Sequence, residues 1–128
     1  MKKRILVADD EKNVVRVLKD RFTHWGYEVE TASDGEETIE KIKSFKPHLL
    51  LLDLKMPKIS GMHVLEESKR QQFNVSILIL TALQSETIVS SCLARGADGY
   101  IVKPFNPQGI KESVERIFAS SVQREAHE

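Results

Sequence analysis

The chain has 128 residues, 41% apolar and 30% charged, enough for one domain with a core and little for a second. Lys plus Arg equals Asp plus Glu at 19 each, so no net basic field is present and direct nucleic-acid binding by this segment is disfavoured. Apolar runs far shorter than a membrane span or a signal peptide, together with a single cysteine, Cys92, that leaves no internal disulfide, make a cytoplasmic setting the expectation.

Short apolar runs alternate with helical patterns along the chain. Ile5–Ala8 reads as a first strand. Val14, Leu18, Phe22 and Trp25, with Val15 beside them, mark the stripe of a first helix that Gly26 stops. "YEVETAS", from Tyr27, alternates with Tyr27, Val29 and Thr31 on one side, as a half-exposed edge strand does. Ile39, Ile42 and Phe45 belong to a second helix, opened by Asp34-Gly35 and closed before Pro47. Leu49–Leu52 is the third strand, and Val64, Leu65 and Ser68 lie on a third helix after Gly61. Ile77–Leu80 is the fourth strand. The fourth helix spans about Ser85 to Arg95, with Ile88, Val89, Cys92 and Leu93 expected inward and Gly96 as its cap. Tyr100–Val102 is the fifth strand. In the fifth helix Asn106 caps, Pro107 suits the first position, and Ile110, Val114, Ile117 and Phe118 form the buried face. The domain is placed at 1–120, with 121–128 a polar tail or the start of a linker.

This is (βα)5, and it predicts a doubly wound parallel sheet with helices on both faces. The apolar runs suit strands buried on both sides. In such sheets ligands collect at the carboxyl ends of the strands. Those ends carry Asp9-Asp10-Glu11, Asp53, Thr81-Ala82 and Lys103-Pro104. Taken singly, each has a simpler account: a turn or capping Asp, a strand-end Thr, a solvated Lys. Taken together, the three aspartates, Asp9, Asp10 and Asp53, would oppose one another's ionisation unless a cation joined them. A hard divalent ion answers this. Mg²⁺ takes oxygen ligands, and with Lys103 it balances the three aspartates formally to zero. An acyl phosphate on Asp53 would raise that residue's charge to about −2, which the site could still accommodate.

Residues from Lys3 to Phe118 resemble the receiver domain of two-component response regulators, through "ILVADDE" (Ile5–Glu11), "LLLLDLKMPKISG" (Leu49–Gly61), "LILTA" (Leu78–Ala82) and "GADGYIVKPF" (Gly96–Phe105). The resemblance implies a flavodoxin-like sheet of order 2-1-3-4-5. It implies that Asp53 accepts a phosphoryl group from a sensor histidine kinase or a histidine phosphotransferase. It implies Mg²⁺ (or Mn²⁺) held by Asp10, Asp53 and the Lys55 backbone carbonyl, with Asp9 acting through a water. Lys103 would contact the phosphoryl oxygens, Thr81 would close on them, and Tyr100 would move inward with Thr81. The bond before Pro104 would be cis. The fourth helix, fifth strand and fifth helix would then switch toward a downstream target or output domain, or toward a homodimer through the same face. Lys55 and Leu83 flank the path of a hydrolytic water, and an apolar Leu83 cannot orient one, so slow loss of the phosphoryl group is expected.

A rival reading is a small Mg²⁺-dependent aspartyl-phosphate phosphatase of the haloacid-dehalogenase kind. Such enzymes usually place a second acid two residues after the nucleophile, where this chain has Lys55, and no cap domain is expected within this segment. His24, His48, His63 and His127 have no metal-ligand spacing with Cys92, and no Gly-rich phosphate loop or Ser-His-Asp order is present.

Overall fold

The computed structural model describes residues 2–83 and 85–127, with side-chain surroundings through residue 120. Its elements follow the order read from the sequence. They are β1 (Arg4–Ala8), α1 (Lys12–His24), β2 (Glu28–Ala32), α2 (Gly35–Phe45), β3 (Leu49–Leu52), α3 (Gly61–Arg70), β4 (Ser76–Thr81), α4 (Glu86–Ala94), β5 (Gly99–Val102) and α5 (Pro107–His127). The sheet is parallel throughout, in the order β2-β1-β3-β4-β5. Ala8 of β1 lies level with Ala32 of β2 and Leu52 of β3, so the three strands stop together.

Side chains alternate across a strand, and here the alternation divides the core in two. Leu6, Ala8, Leu50, Leu52, Ile77 and Ile79 face Ile42, Val64, Leu65 and Cys92 on the side of α2, α3 and α4. Ile5, Val7, Leu49, Leu51, Leu78 and Leu80 face Leu18, Phe22, Ile110 and Val114 on the side of α1 and α5. A strand with apolar residues at every position is therefore what a central position between two helical layers demands.

Local signals explain the helix starts. Asp34 accepts from the Glu37 amide at 2.8 Å, while the Glu37 carboxylate accepts from the Ser33 amide at 2.7 Å. Ser60 caps α3 through the His63 amide, and Asn106 accepts from the Gln108 amide at the start of α5. Gly26 and Gly96 close α1 and α4 with φ of 97° and 102°, where a side chain would be strained.

Two expectations need correction. Leu93 does not point inward: it is 48% exposed, and only Cys92 of α4 is fully buried, with Ile88 and Val89 half-buried. β5 is half-buried along its length rather than enclosed on both faces, because it is an edge strand. The backbone of α5 runs as helix through 121–127. Among the described residues, no helix is long and apolar enough to cross a membrane.

Candidate functional site

The sheet holds the acids and the lysine by their main chains. The Asp9 amide donates to Ala32 O at 3.1 Å, and the Asp53 amide to Ala8 O at 2.9 Å. The Lys103 amide donates to Thr81 O at 2.8 Å. Each residue lies just past its strand, yet its amide extends the ladder. Rigid strands thereby fix where the side chains emerge.

Behind Asp53 the loop is clamped by two glycines. A Cβ on Gly61 would lie 2.1 Å from the Asp53 carbonyl oxygen, and one on Gly35 would lie 2.0 Å from the Ile59 carbonyl oxygen. Gly61 also donates its amide to Leu54 O at 2.9 Å, which draws the start of α3 onto the backbone of the acid.

Asp9 and Asp53 are 2% and 4% exposed, whereas Asp10 is exposed. The Lys103 ammonium sits among carboxylates, 2.7 Å from Asp9 Oδ2, 2.8 Å from Glu11 Oε1 and 3.3 Å from Asp53 Oδ2. Asp53 Oδ1 accepts from the Lys55 amide at 3.2 Å, and Asp9 Oδ1 from the Glu11 amide at 2.9 Å, each closing a local turn. Burial pushes the Asp9 carboxyl above its usual range, against the opposing pull of Lys103. Burial also works against the Lys103 ammonium, but the bonds to Asp9 and Glu11 outweigh it and raise its pKa.

Carboxylate oxygens of Asp9, Asp10 and Asp53 lie within 4.8 Å of one another. All are hard oxygen donors close enough to share one small divalent cation, and Glu11 adds a further carboxylate beside the Lys103 ammonium. The donor set and its excess negative charge fit Mg²⁺ or Mn²⁺.

Thr81 ends β4 and is 1% exposed, with Oγ1 at 3.5 Å from the Leu83 amide. Tyr100 is half-buried on the neighbouring strand, and its hydroxyl donates to the Leu83 carbonyl. Burial raises its pKa. Lys55 reaches the site through its amide, while its side chain is exposed. The bond between Lys103 and Pro104 is cis. Two features were not read from the sequence. Glu11 joins Lys103, and Gly61 packs on the Asp53 backbone. The first had a signal, since a third acid in "DDE" stands where α1 would take a capping residue.

A family model described as the response regulator receiver domain matches residues 5–115. Over 121 residues the chain is 40% identical to the alkaline phosphatase synthesis transcriptional regulatory protein PhoP of Bacillus subtilis, covering 94% of this chain and 50% of that protein. Over 118 residues it is 34% identical to the chemotaxis protein CheY of Thermotoga maritima, covering 91% and 98%. Among solved structures it superposes on the CheX-CheY-BeF3-Mg complex from Borrelia burgdorferi with a TM-score of 0.86 at 32% identity, covering 91% of this chain and 89% of that one. The chain spans about half the length of PhoP and nearly all of CheY.

Proposed function

The chain belongs to the response regulator receiver domain family of two-component signalling, and from that premise we propose that Asp53 is its phosphoryl acceptor. The observation that carries this is the meeting of Asp53 with Lys103 and Asp9 at the end of β3, with the oxygens of Asp9, Asp10 and Asp53 within 4.8 Å of one another.

A carboxylate is a weak nucleophile, so positioning and charge neutralisation supply most of the rate. The sheet hydrogen bond at its amide and the Lys55 amide at Oδ1 aim the Asp53 carboxylate. It attacks the phosphorus of a phosphohistidine on a kinase or phosphotransferase. The P–O bond to Asp53 forms, the P–N bond breaks, and the imidazole leaves. The Lys103 ammonium stabilises the equatorial oxygens. Asp10, Asp53 and the Lys55 carbonyl would hold Mg²⁺, with Asp9 behind them, and the bound ion supplies further neutralisation of the transferring group. The Borrelia complex carries Mg²⁺, which supports this choice of metal. Exposed Ala82 leaves the approach open.

Readout follows from Thr81 and Tyr100. Thr81 Oγ1 turns from the Leu83 amide to donate to the phosphoryl group. Tyr100 gives up the Leu83 carbonyl and moves inward, and the surface of α4, β5 and α5 changes toward a target or output domain. This is a shift between two arrangements of the same elements. The receiver unit is placed at 1–120.

Incubation with a small phosphoramidate donor and Mg²⁺ tests the reading. The expected result is one phosphoryl group per chain, absent in Asp53→Asn. Rapid multiple turnover of a phosphate monoester would instead favour the phosphatase.

A further inference from the structure

Glu11 occupies the N-cap position of α1 with extended backbone, φ −81° and ψ 105°, yet its side chain caps nothing. Ser, Thr, Asp or Asn there would satisfy one of the free amides of the first turn. Instead the carboxylate turns across the sheet edge to Lys103, 92 residues away, at 2.8 Å. The ammonium has three N–H groups, and Asp9, Glu11 and Asp53 accept from it, Asp53 at the longest distance. No donor is left over for a new oxygen.

A phosphoryl group on Asp53 adds negative charge and new acceptor oxygens next to this filled ammonium. For Lys103 to reach them, one carboxylate must let go. Asp9 is 2% exposed, and leaving it unpaired would be costly. The Glu11 side chain is 58% exposed and can return to water. We propose that Glu11 is a positioning residue that holds Lys103 while Asp53 is unmodified and yields it to the phosphoryl group. The proposal rests on Asp53 being the acceptor.

Two effects of Glu11 then oppose each other. Its charge attracts the divalent cation. Its grip on Lys103, and its repulsion of an incoming anion, resist phosphorylation. Glu11→Gln should therefore weaken Mg²⁺ binding but raise the phosphorylation rate at saturating Mg²⁺. Each change should be about two- to fivefold, the range for an ion pair with one solvated partner, and both should shrink in high salt. Glu11→Ser separates this from stability. It restores a capping side chain, so the apo protein should unfold at higher denaturant while phosphorylation changes as in Glu11→Gln.

The experiment measures Mg²⁺ affinity by titration and the phosphorylation rate with a small phosphoramidate at saturating Mg²⁺, for wild type and both variants. Weaker metal binding with faster phosphorylation in both supports the role. A slower rate at saturating Mg²⁺, or no change in either quantity, overturns it. A wild type that takes up no phosphoryl group at Asp53 sinks this proposal and the acceptor reading together. A wild type that does, with variants identical to it, sinks only the role of Glu11.

Discussion

Replacing Gly61 by Ala tests how tightly the acceptor's backbone is held. The new Cβ would lie 2.1 Å from Asp53 O, 2.6 Å from Leu54 Cα and 2.9 Å from the Asp53 carbonyl carbon. All three are backbone atoms, so no rotamer relieves the clash. Carbon contacts settle at roughly 3.5–4.0 Å, so α3 and the 53–54 backbone must separate by on the order of 1 Å. Overpacking of this kind costs about 1–3 kcal/mol. Stretching the bond from the Gly61 amide to Leu54 O, now 2.9 Å, adds about 1 kcal/mol. A carboxylate displaced by about 1 Å should also react about 100-fold more slowly. Urea unfolding without metal reads the first effect, and the phosphorylation rate at saturating Mg²⁺ reads the second. Gly109→Ala is the control. It meets nothing within 4 Å inside a helix, so it should gain about 0.4–1 kcal/mol with no change in rate. A Gly61→Ala protein with wild-type stability and wild-type rate would refute the reasoning.

Ser68 Oγ is buried with no hydrogen-bond partner among the described residues, so Ser68→Ala should stabilise by about 1–3 kcal/mol, read as a higher urea midpoint. Lys103→Met leaves Asp9 and Asp53 buried without their cation and should cost about 3–5 kcal/mol at neutral pH in the absence of metal. The folded pKa of Lys103 lies above its ordinary 10.5, so its contribution is complete below that value and is lost only as pH rises through the raised one. The folded pKa of Asp9 is also raised, above 3.8, so its burial penalty appears as pH rises through the raised value. Metal-free Asp9→Asn should therefore be more stable than wild type at pH 7 and lose that advantage in acid, as urea midpoints across pH would show. Leu83 is apolar beside Thr81, so the phosphoryl group should be lost slowly and Leu83→Glu should shorten its life; a wild-type lifetime of seconds would contradict this.

Unbroken apolar runs and period-3.6 stripes were legible because a strand buried on both faces is apolar at every position and a helix only along one stripe. The strand-end acids were legible because a parallel sheet sends every strand tip to one edge. β5 was misjudged for a different reason. "YIV" is as apolar as a central strand, but its exposure depends on which strand lies outside it, and nothing local encodes that. Leu93 likewise fits the stripe of α4, a helix that fully buries only Cys92. The helical run at 121–127 lacks Pro and Gly and is rich in helix formers, so its backbone continues without an apolar stripe to announce it. The bond from Glu11 to Lys103 spans most of the chain and exists only once β1 and β5 share an edge of the fold.

The central claim is that Asp53 carries the phosphoryl group. An acyl phosphate is reduced by borohydride, which turns the aspartate bearing it into homoserine. The protein should be treated with phosphoramidate and Mg²⁺, reduced, digested and mapped by mass spectrometry. The account predicts homoserine at position 53 and at no other acid, dependent on Mg²⁺. Homoserine at Asp9 or Asp10, hydroxynorvaline at Glu11, or an unmodified Asp53 alongside phosphate bound elsewhere, would contradict it.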